Sequence, residues 1–134
     1  MTDSFLLLVF PTRSLTIYLG GHRGCMGLSL RGACTTTADA AHLDQAIEQL
    51  LAKGVAKAWI DCQGLHSLNT MGQQALLHAN STAQLVNTQL YWCGLPVGLA
   101  KQLEASGLGA QLQLCPVAEF QGPQFLLPTV AVAS

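Results

Sequence analysis

Apolar and polar positions along this chain switch between a period of two and a period near 3.6, and the switches lay out alternating strands and helices. Phe5-Leu6-Leu7-Leu8-Val9-Phe10 is apolar at every position, which predicts a buried strand. Beyond Pro11, Leu15-Thr16-Ile17-Tyr18-Leu19 alternates and is rich in β-formers, so a second strand is expected. Gly20-Gly21-His22-Arg23-Gly24 reads as a hairpin turn with glycines to supply positive φ. Cys25–Leu30 is then the returning strand, closed by Arg31-Gly32. Thr36-Thr37-Ala38-Asp39 has the form of a capping box. Behind it Leu43, Ile47, Leu50 and Leu51 share one helical face, with Asp44, Glu48 and Gln49 off it, and Gly54 stands where a C-terminal cap glycine belongs.

The same reasoning continues to the C-terminus. Val55–Asp61 predicts a strand ending in an acid. A second helix starts near Thr70, which could cap it, with Leu76, Ala79, Ala83 and Val86 spaced to face inward. Gln89–Cys93 predicts a strand, Val97–Ala105 a short helix entered through Pro96 and ended at Gly107, and Leu112-Gln113-Leu114 a last short strand. One more turn fits Pro116–Phe120. A hairpin followed by alternating helices and strands predicts a single α/β domain with a mixed, largely parallel sheet and helices packed against it. Residues 1–13 form an N-terminal extension with an extra strand, 14–120 the domain, and 121–134 a tail. That tail is apolar and punctuated by proline, so it is either a strand covering an edge or a flexible end.

Composition narrows the function classes. Half of the 134 residues are hydrophobic and only 10% are charged, a low share for a protein that stays soluble alone. Self-association through the apolar ends, Phe5–Phe10 and Phe125–Val132, is the homodimer this suggests. The net charge is −1 and the basic residues are scattered, which speaks against nucleic acid as a partner. Phe5–Phe10 is too short to cross a bilayer and follows an acid rather than a basic segment, so neither a transmembrane span nor a signal peptide is expected. Cysteines at 25, 34, 62, 93 and 115 contain no CxxC pair and sit in or beside apolar runs, and the four histidines make no ligand motif. The expectation is a reduced, cytoplasmic protein without metal or cofactor.

Few residues offer chemistry. Asp61 at a strand's end could be a base or a metal ligand, or could cap the turn that follows. His66 could exchange protons, or could be an ordinary surface or turn histidine. Cys62 beside Asp61 would have its thiol pKa raised, which favours packing over nucleophilic attack. Gly20–Gly24 lacks the Gly-Lys-Ser/Thr ending of a phosphate-binding loop. The loop Asn69-Thr70-Met71-Gly72 differs, because the unpaired amides and dipole of a helix start would accept a phosphate on Thr70.

The segment Ala58-Trp59-Ile60-Asp61-Cys62-Gln63-Gly64-Leu65-His66-Ser67-Leu68-Asn69-Thr70-Met71-Gly72 resembles the signature of STAS domains, the anti-sigma-factor antagonist family. In that pattern a strand ends in Asp-x-x-Gly-Val/Leu and a phosphorylatable Asp-Ser-Ser/Thr-Gly loop follows. Asp61 and Gly64 match the first part, Gly72 the loop glycine, and Thr70 the phospho-acceptor position. Leu28-Ser29-Leu30-Arg31-Gly32, Leu90–Leu95 and Leu103–Leu108 extend the resemblance over residues 14–120. Asn69 stands where the family has an acid, Met71 where it has a second hydroxyl residue, and Thr35 where it has the acid of a Gly-x-x-Asp.

The resemblance implies a non-catalytic, protein-binding module that engages an anti-sigma factor with a kinase-like ATPase fold. Contacts would come from Asn69, Thr70, Met71, Gly72 and Gln73 and the helix they begin, with Thr70 phosphorylation as the switch. A second reading keeps the fold without the switch, as a subunit of a lipid-transport ATPase or a signalling assembly. A third makes the chain an enzyme or ligand carrier using Asp61, Cys62 and His66.

Overall fold

The apolar runs pair side by side in chain order. In the computed structural model, which describes residues 6–11, 14–22 and 24–127, six strands form one sheet in the order β1 to β6. These are β1 (Leu6–Pro11), β2 (Leu15–His22), β3 (Cys25–Cys34), β4 (Lys57–Leu68), β5 (Gln89–Cys93) and β6 (Leu114–Cys115). The first three are antiparallel neighbours, with His22 paired to Cys25 at the hairpin, and β3 to β6 run parallel. β1 lies at the sheet's edge, and its Val9 is 46% exposed rather than buried as the unbroken apolar run suggests. Phe5 lies outside the described residues.

Three helices pack on one face of the sheet: α1 (Thr37–Leu51), α2 (Thr70–Leu85) and α3 (Val97–Ser106). Leu15, Ile17 and Leu19 of β2 and Ile60 and Cys62 of β4 meet Leu43, Ile47 and Leu50 of α1 and Leu76, Ala79 and Ala83 of α2 there. The capping box of α1 forms as its sequence predicts. Thr36 Oγ1 accepts from the Asp39 amide at 3.1 Å, and Asp39 Oδ2 accepts from the Thr36 amide at 3.1 Å. Asp39, fully buried, also accepts from the Thr35 amide and from the Ser14 hydroxyl, which ties the helix start to the entry of β2.

Several boundaries differ from the sequence pattern for local reasons. Arg31-Gly32 does not close β3. Gly32 has φ of 109°, and a Cβ there would overlap the Ser14 carbonyl oxygen, which accepts from the Ala33 amide at 2.8 Å. Glycine thus lets the strand bulge and continue to Cys34. β4 likewise runs through Asp61 to Leu68, because its second half pairs with Arg31 to Cys34 of β3 across two register shifts. The C-cap of α1 is Ala52, and Gly54, with φ of 71°, turns the chain two residues later. Val86 does not face inward: it is the C-cap of α2 and 55% exposed. The last strand is Leu114–Cys115 rather than 112–114, since Leu112 points into the helical core.

The described part of the tail is neither an edge strand nor a loose end. Phe120 and Leu126, both buried, pack with Cys93 on the sheet face opposite the helices, against Tyr18, Trp59 and Tyr91. A 3-10 turn at Gln124–Leu126 holds this segment over the face. Trp59 and Tyr91 stack beneath it with ring centroids 4.3 Å apart. Phe125 is exposed, and the rest of the apolar end beyond Leu127 lies outside the described residues. Among the described residues no helix is long and apolar enough to cross a membrane.

Candidate functional site

The site grows from the point where β4 hands over to α2. Leu68 is buried at the strand's end, and Asn69 adopts an extended backbone (φ −106°, ψ −170°) that breaks the strand and starts the helix. Its Oδ1 accepts from the Gly72 amide at 2.9 Å, and its backbone oxygen accepts from the Gln73 amide at 2.9 Å. Asn69 is therefore the N-cap, and Thr70 is the first helical residue rather than the cap. The Asn69 Nδ2 group donates to the Thr35 carbonyl at 2.9 Å, which fastens this loop to the segment leading into α1.

The five residues of the predicted contact surface divide by exposure. Asn69 and Thr70 are exposed and Met71 is 40% exposed, whereas Gly72 and Gln73 are buried. α2 passes close to β3 at Gly72, where a Cβ would overlap the Cys34 carbonyl oxygen. Gly72 thus sets the position of the helix, and Met71 is what the first turn presents outward. Next to Met71 a shallow cleft of about 280 Å³ opens between α1 and α2, lined by Ala40, Ala41, Gln74 and Ala75. Asp44 and His78 lie 3.5 Å apart across it, both well exposed.

Asp61, Cys62 and His66 do not come together. Asp61 sits in mid-strand, fully buried, and caps no turn. Its Oδ2 accepts from the Ser29 hydroxyl at 2.8 Å, and its Oδ1 from the Gln63 amide at 3.2 Å and Gln63 Nε2 at 2.9 Å. Cys62 points to the opposite face, where burial pushes its thiol pKa well up and its Sγ donates to the Ile60 carbonyl at 3.8 Å. His66 is exposed further along the strand. Among the described residues no group of three metal-ligating side chains forms.

Asp61 instead anchors a polar network on the tail-covered face. Arg31 Nε donates to Ser29 Oγ at 3.1 Å, its terminal nitrogen donates to the Leu126 carbonyl at 2.8 Å, and its guanidinium lies 4.3 Å from the centre of the Tyr18 ring. Gly64 packs beside Arg31, where a Cβ would stand 2.9 Å from Arg31 Cγ. Asp61, Gly64 and Gly32 thus serve the sheet and its cover. Ser29 and Arg31, alternating with Leu28 and Leu30, signalled a polar second face, but nothing in sequence indicated that the tail would roof it.

A family model described as "Mlab, STAS domain" matches residues 18–116. Among solved structures, an anti-sigma factor antagonist from Mycobacterium paratuberculosis is 18% identical, with a TM-score of 0.54 over 84% of this chain and 86% of that one. Unphosphorylated SpoIIAA, also an anti-sigma factor antagonist, is 18% identical, with a TM-score of 0.55 over 87% and 90%. SLC26A9 gives 14% identity and a TM-score of 0.60 over 69% of this chain, which spans only 18% of the SLC26A9 chain. At these identities the likeness is one of fold. No curated protein matches the chain.

Proposed function

The chain belongs to the Mlab STAS-domain family, and from that premise we propose that it is a non-catalytic regulatory module docking a protein partner through Asn69, Thr70 and Met71. The observation that carries the reading is the exposed Met71 on the first turn of α2, continuous with the alanine-lined cleft between α1 and α2. An unbranched, adaptable side chain beside small apolar residues suits burial against another protein surface. The partner is an ATPase subunit, either an anti-sigma factor of kinase-like fold or the ATPase of a transporter. The mode is constitutive, a reading supported by neutral Asn69 and apolar Met71, which stand where the family pattern has an acid and a second hydroxyl residue.

A second reading, the phosphorylation switch, is favoured by one observation. Thr70 is exposed at the first position of α2, where a phosphate would meet leading amides and the positive end of the dipole. Incubation with a cognate anti-sigma kinase and ATP, followed by mass spectrometry, tests it. Phosphate on Thr70 with weakened partner binding supports the switch. Unmodified Thr70, with Thr70→Asp binding as well as wild type, removes it and leaves the constitutive reading.

A further inference from the structure

Two of the five cysteines lie directly across from each other. Cys93 ends β5 and Cys115 ends β6, and they are register partners in the parallel pair, flanked by the bond from the Gly94 amide to the Cys115 carbonyl at 2.9 Å. Both side chains belong to the cluster on the tail-covered face, with Cys93 buried and Cys115 half-buried against it. Neighbouring strands lie about 4.8 Å apart, inside the roughly 4.4–6.8 Å Cα separation that a disulfide spans. The remaining cysteines are placed otherwise. Cys62 and Cys34 are in the core on the helical face, and Cys25 donates to the Gln121 carbonyl at 3.7 Å.

We propose that Cys93 and Cys115 form an oxidisable dithiol, a peroxide-reactive modification site that closes into a cross-strand disulfide and staples β6 to β5. Cys115 is the sulfur that solution reaches first. Its thiolate attacks hydrogen peroxide, forming an S–O bond as the O–O bond breaks, and hydroxide leaves to take up the released thiol proton as water. Cys93 sulfur then attacks the sulfenic sulfur of Cys115, forming the S–S bond. The departing hydroxyl takes the Cys93 proton and leaves as a second water. Two thiols thus give two electrons to one peroxide. Burial pushes the Cys93 thiol up to about 12, which leaves the first attack to Cys115.

The consequence falls on the C-terminal cover. β6 has only two residues, and the chain leaving it leads directly into Phe120 and Leu126, which roof the Arg31–Ser29–Asp61 network. A covalent link at Cys115 fixes the start of that cover to the central sheet.

The test uses the full wild-type chain treated with hydrogen peroxide, alkylated and digested, so it depends on no variant folding. The expected result is loss of two hydrogens per chain, one linked peptide joining Cys93 to Cys115, and at least fivefold slower proteolysis after residue 115. Cys25→Ser keeps the linkage and Cys115→Ser abolishes it. Peroxide adducts on Cys115 without the linkage, or a disulfide between other cysteines, overturn the proposal.

Discussion

The side-chain amide of Asn69 donates to the carbonyl of Thr35 at 2.9 Å while its oxygen caps α2 through Gly72. One neutral side chain therefore joins the starts of α1 and α2, which an acid at this position could not do, since a carboxylate has no proton to give Thr35. Asn69→Ala should cost about 1–2 kcal/mol through loss of the cap and the tether together. Asn69→Asp keeps the cap, and should cost less than about 1 kcal/mol. Urea unfolding of the two variants separates the contributions.

Gly72 should tolerate no side chain. Its missing Cβ leaves room for the Cys34 carbonyl, and Leu68 Cδ2 stands 3.0 Å from the same position. Backbone cannot yield there as a side chain would, so Gly72→Ala should destabilise by about 2–3 kcal/mol or prevent folding. Gly98, with open space around it, is the control, and Gly98→Ala should be neutral or stabilising. Thermal unfolding of both variants checks the contrast.

Asp61 should prove structural. Removing its carboxylate leaves the buried Ser29 hydroxyl without its acceptor, so Asp61→Ala should lose about 2–3 kcal/mol. The signature acid of this family was legible in sequence, but its role was not. Gln63-Gly64 interrupts the apolar run, so the sequence pattern ends the strand at Asp61 and sets the acid at a turn. The pairing of Arg31 with Gly64, Gly32 with Leu65, Ala33 with Ser67 and Cys34 with Leu68 carries the strand onward, and such pairing is long-range. The capping box of α1, β5 and the span of α3 were legible because each is written in contiguous residues. The cap of α2 falls at Asn69, one residue before Thr70, because both residues are good N-caps and the choice depends on where β4 ends.

Alkali should weaken the fold through buried thiols. Burial chiefly, with help from Asp39, raises the Cys34 pKa from 9.0 to about 11. Burial chiefly, with neighbouring Cys115 next, raises that of Cys93 from 9.0 to about 12. Above pH 9 the unfolded chain loses these protons while the folded chain keeps them, so folding stability falls as pH rises. The loss approaches ~1.4 kcal/mol per pH unit for each thiol until the folded pKa is reached. Denaturant midpoints between pH 8 and 11 should fall less steeply in Cys34→Ala and Cys93→Ala than in wild type.

If the first turn of α2 is a docking surface with Met71 at its centre, a charge at that position should disrupt binding. The most direct test is calorimetric titration of the chain, wild type and Met71→Glu, into purified candidate ATPase partners, with Val97→Glu as a control elsewhere on the exposed surface. Met71→Glu should lose at least tenfold in affinity with an unchanged unfolding midpoint, and Val97→Glu should bind as wild type does. Wild-type affinity for Met71→Glu on a partner that the native chain binds would contradict it.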